Sequence, residues 1–216
     1  MTIPKHILDK FPKLSNDKLL NNLSLPSGRN KMILDTDTAN EIDDQFALAW
    51  TLLSNDKIDL LGVTAEPYSF QHHKEELFEA YDIITNNKKI NSSNQELVNN
   101  YYNWVNGLIE SKKHPNDIYF DTPKEGVEKS YQEIINIFKK LDINHEGKVF
   151  RGSHKYLENL DEPLDTESSQ FIIDMCIKYP NEKIYVCAIG CLTNIASALL
   201  MTVSYTHLTL PTILPV

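Results

Sequence analysis

Short apolar runs that end in acids or glycine alternate along this chain with stretches whose apolar residues recur every three or four positions. "KMILDTD", residues 31–37, is an apolar run closing in acids and a loop, which predicts a buried strand. "EIDDQFALAWTLLS", from Glu41, predicts a helix with acids in its first turn, where the helix dipole favours them. Its apolar residues Phe46, Ala47, Leu48, Ala49, Trp50, Leu52 and Leu53 go nearly all the way round, which predicts burial on every side. "KIDLLGVTAE" then predicts a second strand, and a strand–helix–strand unit implies parallel pairing through a right-handed crossover.

The alternation continues. "QHHKEELFEAYDIITNN" places Leu77, Phe78, Tyr81 and Ile84 at helical spacing. Residues 87–122 are rich in Asn, Tyr and Lys with weak periodicity, and read as an insertion or lid. "KEGVEKSYQEIINIFKKL" is an amphipathic helix through Val127, Tyr131, Ile134, Ile135, Phe138 and Leu141, and "KVFRGS" is a short strand. "DTESSQFIIDMCIKYP" is a helix with Asp165 or Thr166 as cap and Pro180 as stop. "KIYVCAIG" and "LTNIASALL" are a further strand and helix. This order predicts a three-layer α/β domain, a mostly parallel sheet flanked by helices.

The ends of the chain differ from this pattern. Residues 1–30 form a polar segment with scattered leucines, expected to hold a short helix and the "PSGRN" turn. The domain proper spans residues 31–201. Residues 202–216 end in "VSYTHLTLPTILPV", which has neither acids nor bases and resembles translated read-through of a sequencing-library adaptor. They are expected to be a non-native tail on a C-terminally truncated domain, with a genuine β-rich terminus as the alternative.

Composition narrows the class. Of 216 residues, 41% are hydrophobic and 24% charged, as in an ordinary soluble domain. The net charge of −9 argues against nucleic acid or an anionic membrane as the main partner. Cys176, Cys187 and Cys191 lie within or beside apolar segments and read as reduced core thiols of a cytoplasmic protein. Cys187 and Cys191 lack the partner pair that a zinc site requires. "MTIPKHILDKFPKL" has no apolar core for a signal peptide, and "IYVCAIGCLTNIASALLM" reads as strand turning into helix rather than a membrane span.

The chemistry concentrates in "ILDTDTANEIDDQF", which holds Asp35, Asp37, Glu41, Asp43 and Asp44. Two like charges about 4 Å apart repel by about 1 kcal/mol in water and about 4 kcal/mol at an effective dielectric near 20. Convergent carboxylates therefore need a cation, a shared proton or an escape into solvent. In an open α/β sheet ligands collect at the carboxyl ends of strands, where Asp35 and Asp37 stand, and Asp43 and Asp44 open the next helix. A hard cation with oxygen ligands is the natural neutraliser. An EF-hand loop is excluded: counted from Asp35, the fifth, sixth and twelfth positions are Ala39, Asn40 and Phe46. A solvated acidic helix start is the competing explanation.

"ILDTDTANEIDDQFAL" resembles the N-terminal signature of the inosine–uridine nucleoside hydrolase family, an aspartate-rich D-x-D, a short loop and a D-D pair. "AIGCLTNIASAL" is similar to the family's G-x-L-T-N segment, and "VFRGS" to a segment between the two, so the likeness covers roughly residues 30–201. The resemblance implies hydrolysis of the N-glycosidic bond of ribonucleosides at a Ca²⁺ site in a homo-oligomer. Carried over by position, Asp37 would ligate Ca²⁺ and act as general base on the metal-bound water. Asp44 would ligate the same ion, and the Thr193 carbonyl would add a ligand. Asp43 would bind ribose hydroxyls, Asp35 would support the site, and Asn194 would hold the turn.

Three departures stand out. Thr38 to Ile42 make a loop two residues longer than in the best-known members. Glu66 in "VTAEPY" replaces an asparagine common after the second strand, which affects part of the ribose contact. The remaining calcium aspartate and the leaving-group histidine belong to a C-terminal half not found in these residues. "ILDTDT" also resembles the opening of haloacid-dehalogenase-type phosphatases, which use Mg²⁺, but that reading leaves "GCLTN" and the Asp43/Asp44 pair unexplained. A third possibility is an inactive calcium-binding fragment. Elsewhere, His72 and His73 read as an exposed helix start and His154 as an ordinary loop histidine. The tyrosines and Trp104 of 87–122 read as an aromatic lid or a packed insertion. His207, in the tail, has no expected role.

Overall fold

The apolar runs form strands β1 (Asn30–Thr36), β2 (Ile58–Ala65), β3 (Val149–Phe150) and β4 (Ile184–Ala188) in a computed structural model that describes residues 5–9 and 15–202. They make one sheet in the order β3-β2-β1-β4, and every pairing is parallel. Helices α1 (Lys5–Leu8), α2 (Asn16–Asn22), α3 (Ile42–Leu53), α4 (Lys74–Thr85), α5 (Gln95–Glu110), α6 (Pro123–Lys140), α7 (Glu167–Lys178) and α8 (Thr193–Met201) precede, connect or follow the strands.

The three layers come from strand alternation. Adjacent residues of a strand face opposite sides, so Leu34 joins Val63, Ala65, Leu48 of α3 and Val127, Ile134 and Phe138 of α6 in one core. Ile33 joins Phe171 and Ile172 of α7 and Ile195, Ala198 and Leu199 of α8 in the other. Thr166 caps α7: its hydroxyl accepts from the Ser169 amide, satisfying one of the donors a helix start leaves free. The helix stops at Lys178, two residues before Pro180.

The chain divides into two compact units, one made of residues up to Tyr68 with those from Pro123 on, the other of Ser69–Thr122. The second unit has its own core of Leu77, Ala80, Tyr101, Val105, Leu108 and Phe120. Among the described residues no helix is long and apolar enough to cross a membrane.

The structure corrects three expectations. The α3 helix is not buried all round: Ile42, Phe46, Trp50 and Leu53 are 66–77% exposed, while Asp44, Leu48 and Thr51 turn inward. Spacing of three or four carries the first set down one flank, and among the described residues only the inner flank meets the sheet. The stretch 87–122 has more helical periodicity than its composition suggested, since it contains the sixteen-residue α5 with Val98, Tyr101, Val105 and Leu108 on its buried face. The cysteines are free, but none is a core thiol: Cys187 is exposed and the other two are partly so.

Candidate active site

The carboxyl ends of the three longer strands lie level, and the acids sit there. Asp35 pairs in register with Thr64 of β2 and Ala188 of β4, and Thr36 pairs with Ala65. The Ile189 amide donates to the Asp35 carbonyl at 2.9 Å and the Glu66 amide to the Thr36 carbonyl at 2.8 Å. The chain after each strand thus starts beside the others. From this common edge Asp37 leads into α3, whose first turn carries Asp43 and Asp44.

Asp35 is fully buried. Its Oδ1 accepts from the Thr64 hydroxyl at 2.5 Å and from Asn194 Nδ2 at 2.9 Å. Asn194, at the start of α8, also donates to the Ala65 carbonyl at 3.0 Å. Gly152 makes room for this amide: a Cβ there would stand 2.6 Å from Asn194 Oδ1 and 2.2 Å from the Ala65 oxygen. One side chain of α8 therefore ties β1 to β2 beneath the acidic cluster.

Asp37 is held at one oxygen, since Asn40 Nδ2 donates to its Oδ2 at 3.0 Å while the Asn40 amide donates to the Asp37 carbonyl at 2.7 Å. Gly190 lies against the other oxygen, and a Cβ would stand 2.9 Å from Asp37 Oδ1 and 3.1 Å from Glu66 Oε2. Asp43 is exposed, and its Oδ1 accepts from the Asp44 amide at 3.1 Å. Thr193, the first residue of α8, is buried, and its hydroxyl lies 3.5 Å from the Cys191 thiol.

The electrostatics are those of crowded acids. Burial first, then the neighbouring Asp37 as hydrogen-bond partner and like charge, then Asp43 and Glu41, push the Asp44 carboxyl up to about 7. Burial also raises Asp35, against the hydrogen bonds of Glu66, Asn194 and Thr64, which lower it. Burial, and then Asp35 beside it, push Glu66 far above the ordinary carboxylate range. Among the described residues none of these acids forms an ion pair with a basic side chain.

A cleft of about 370 Å³ opens over the cluster, walled by Asp37, Asn40, Glu41, Asp43, Asp44, Ala47 and Ile189 to Cys191. Its size lies at the lower end of small-molecule pockets, about 300–1,000 Å³. The structure thus brings Asp37, Asp43 and Asp44 to one cavity, whereas Asp35, Thr193 and Asn194 are buried and are not among the residues that line it. Two adjoining carboxylates without a basic partner fit a hard cation in donor type. They supply part of a coordination shell: among the described residues no three His, Cys, Asp or Glu side chains meet closely enough to hold an ion.

Asn40, Gly190 and Cys191 were not singled out by the sequence as site residues. Asn40 carried a usable signal, an amide three residues after Asp37 in a loop of otherwise small and acidic residues. His72 is exposed; His73 Nδ1 lies 2.7 Å from the Tyr101 hydroxyl, which donates to Glu76 at 2.5 Å within the second unit. Trp104 and Tyr101 pack in that unit's own core. His154 is exposed with Nε2 3.6 Å from Glu128, and His207 lies outside the described residues.

Comparison with protein families gives a match to the model of the inosine-uridine preferring nucleoside hydrolases over residues 32–208. No curated protein and no solved structure matches the chain.

Proposed function

This chain belongs to the inosine-uridine preferring nucleoside hydrolase family, a metal-dependent family that cleaves the N-glycosidic bond of nucleosides, and from that premise we propose that the acidic cleft is its calcium-dependent ribonucleosidase site. The observation that carries the reading is the buried Asp37–Asp44 pair at the mouth of the sheet. Asp37 and Asp44 hold the cation, with the Thr193 carbonyl as a further oxygen donor. A bound calcium ion would orient a water and lower its pKa.

The remaining steps belong to this chain's residues. Asn40 fixes Oδ2 of Asp37 and leaves Oδ1 to take the proton of the attacking water. Water adds to the anomeric carbon as the bond to the base breaks, and the base departs with the bonding electrons. The sugar passes through an oxocarbenium-like state, whose positive charge the carboxylates of the cleft stabilise at short range. Asp43, exposed at the rim, accepts hydrogen bonds from ribose hydroxyls and fixes the ring against the pair. Asp35 and Asn194 hold the strand ends that aim Asp37.

The test is release of free base from inosine, uridine and related ribonucleosides by the full chain with calcium, after chelation and after calcium is restored. Activity that disappears with chelation and returns with calcium is expected. Asp37→Ala should lose both turnover and calcium binding, and tight calcium binding by that variant would sink the assignment. Phosphate esters with Mg²⁺ should not be turned over.

A further inference from the structure

Glu66 is the buried acid of the cluster for which the proposed chemistry gives no role. Its side chain is wholly buried, and its carboxyl meets only the Asp35 carboxyl, itself an acid, and the Cys191 thiol; among the described residues no amide, hydroxyl or basic group donates to it, nor to Oδ2 of Asp35. Such an orphan is rare in folded proteins and usually marks an ion or water that completes the site. Buried carboxyls pressed together either share a proton or hold a cation, because an unpaired buried charge costs several kcal/mol.

The position of Glu66 shows where that neutralising charge belongs. Its amide donates to the Thr36 carbonyl at 2.8 Å, so its backbone runs beside the residue that precedes Asp37. Its Oε2 and Asp37 Oδ1 border one point at the cleft wall, 3.1 and 2.9 Å from where a Cβ of Gly190 would stand. Only a residue without a side chain leaves those two oxygens undisturbed. Asp35, Asp37, Asp44 and Glu66 thus form a buried group of four acids with no basic partner among the described residues.

We propose that Glu66 is a positioning residue of the cation site, which strengthens cation binding from beneath Asp37 through its carboxylate. The proposal rests on the cation reading given above and adds to it. Glu66 does not meet Asp37 and Asp44 at one point, so it acts from behind the direct ligands. Groups in such a position typically change metal affinity by about 10–100-fold when replaced.

The experiment is calorimetric titration of the chelator-treated full chain with Ca²⁺, comparing the wild type, Glu66→Gln and Asp37→Asn. Glutamine keeps the shape and removes the charge. The expected result is cation binding by the wild type, affinity about 10–100-fold weaker in E66Q, and no binding in D37N. Equal affinity in the wild type and E66Q overturns the role of Glu66 and leaves the cation site standing. No binding by the wild type overturns both. Should E66Q not fold, the ¹³C carboxyl resonance of Glu66 in wild-type protein decides: movement on adding Ca²⁺ supports the role, and a stationary signal overturns it.

Discussion

Replacing Asn194 by alanine removes one side chain and two hydrogen bonds, those to Asp35 Oδ1 and to the Ala65 carbonyl. A bond to a charged group contributes about 1.5–3 kcal/mol and one to a neutral carbonyl about 0.5–1.5 kcal/mol. Both acceptors are buried, so water cannot take the amide's place without opening the strand ends. The expected loss is therefore about 3 kcal/mol. For a chain of this length, about 2–4 °C per kcal/mol puts the fall in Tm at roughly 6–12 °C. Urea unfolding followed by circular dichroism, in chelator at pH 7, measures it. The midpoint should drop with the slope unchanged, because the surface exposed on unfolding is the same. In an Asp35→Asn background the same substitution should cost less, since contacting residues couple by about 0.5–3 kcal/mol. A loss below about 1 kcal/mol, less than one charge-assisted bond, would refute the idea that this amide clamps β1 to β2.

Other outcomes follow from the same geometry. Asp44 is pushed up to about 7 in the folded state against an ordinary 3.8, so the folded state binds the extra proton between these limits. The cation-free protein should therefore lose stability as pH rises from about 4 to about 7, and Asp44→Asn should flatten that slope in a pH series of urea midpoints. Leu48→Ala, at a fully buried position, should cost about 2–5 kcal/mol. Trp50→Ser, on the exposed flank of the same helix, should change stability by no more than about 0.5 kcal/mol. Thr166→Ala should cost about 1 kcal/mol by uncapping α7.

The strands were legible because a buried parallel strand is a short apolar run with a polar stop, as "KMILDTD" and "KIYVCAIG" are. Less legible was which side of a helix finds a partner. Phe46 and Trp50 satisfy helical periodicity as well as Leu48 does, and only the placement of α3 on the sheet separates them. The α5 helix escaped notice because its asparagines and tyrosines lower the contrast between faces, although Val98, Tyr101, Val105 and Leu108 keep the period. In the site, Asp37, Asp43 and Asp44 are close in sequence, so one loop brings them together. Glu66 and Asn194 reach the cluster through strand register, which no local pattern encodes. Gly190 is conspicuous only once the Asp37 and Glu66 oxygens stand against it.

The strand order has a consequence for how the chain is made. The β1 strand lies between β2 and β4, so one of its partners emerges soon after it and the other only near the far end of the described residues. At about 5–20 residues per second during synthesis, roughly 10–30 s separate Asp35 from Asn194. During that interval Asp35 lacks its amide and the acids lack one wall of their cleft. A nascent chain can complete its first crossover early and still lack the acidic cleft. The pocket forms only once α8 has been made, and its appearance reports that this helix has docked against β1.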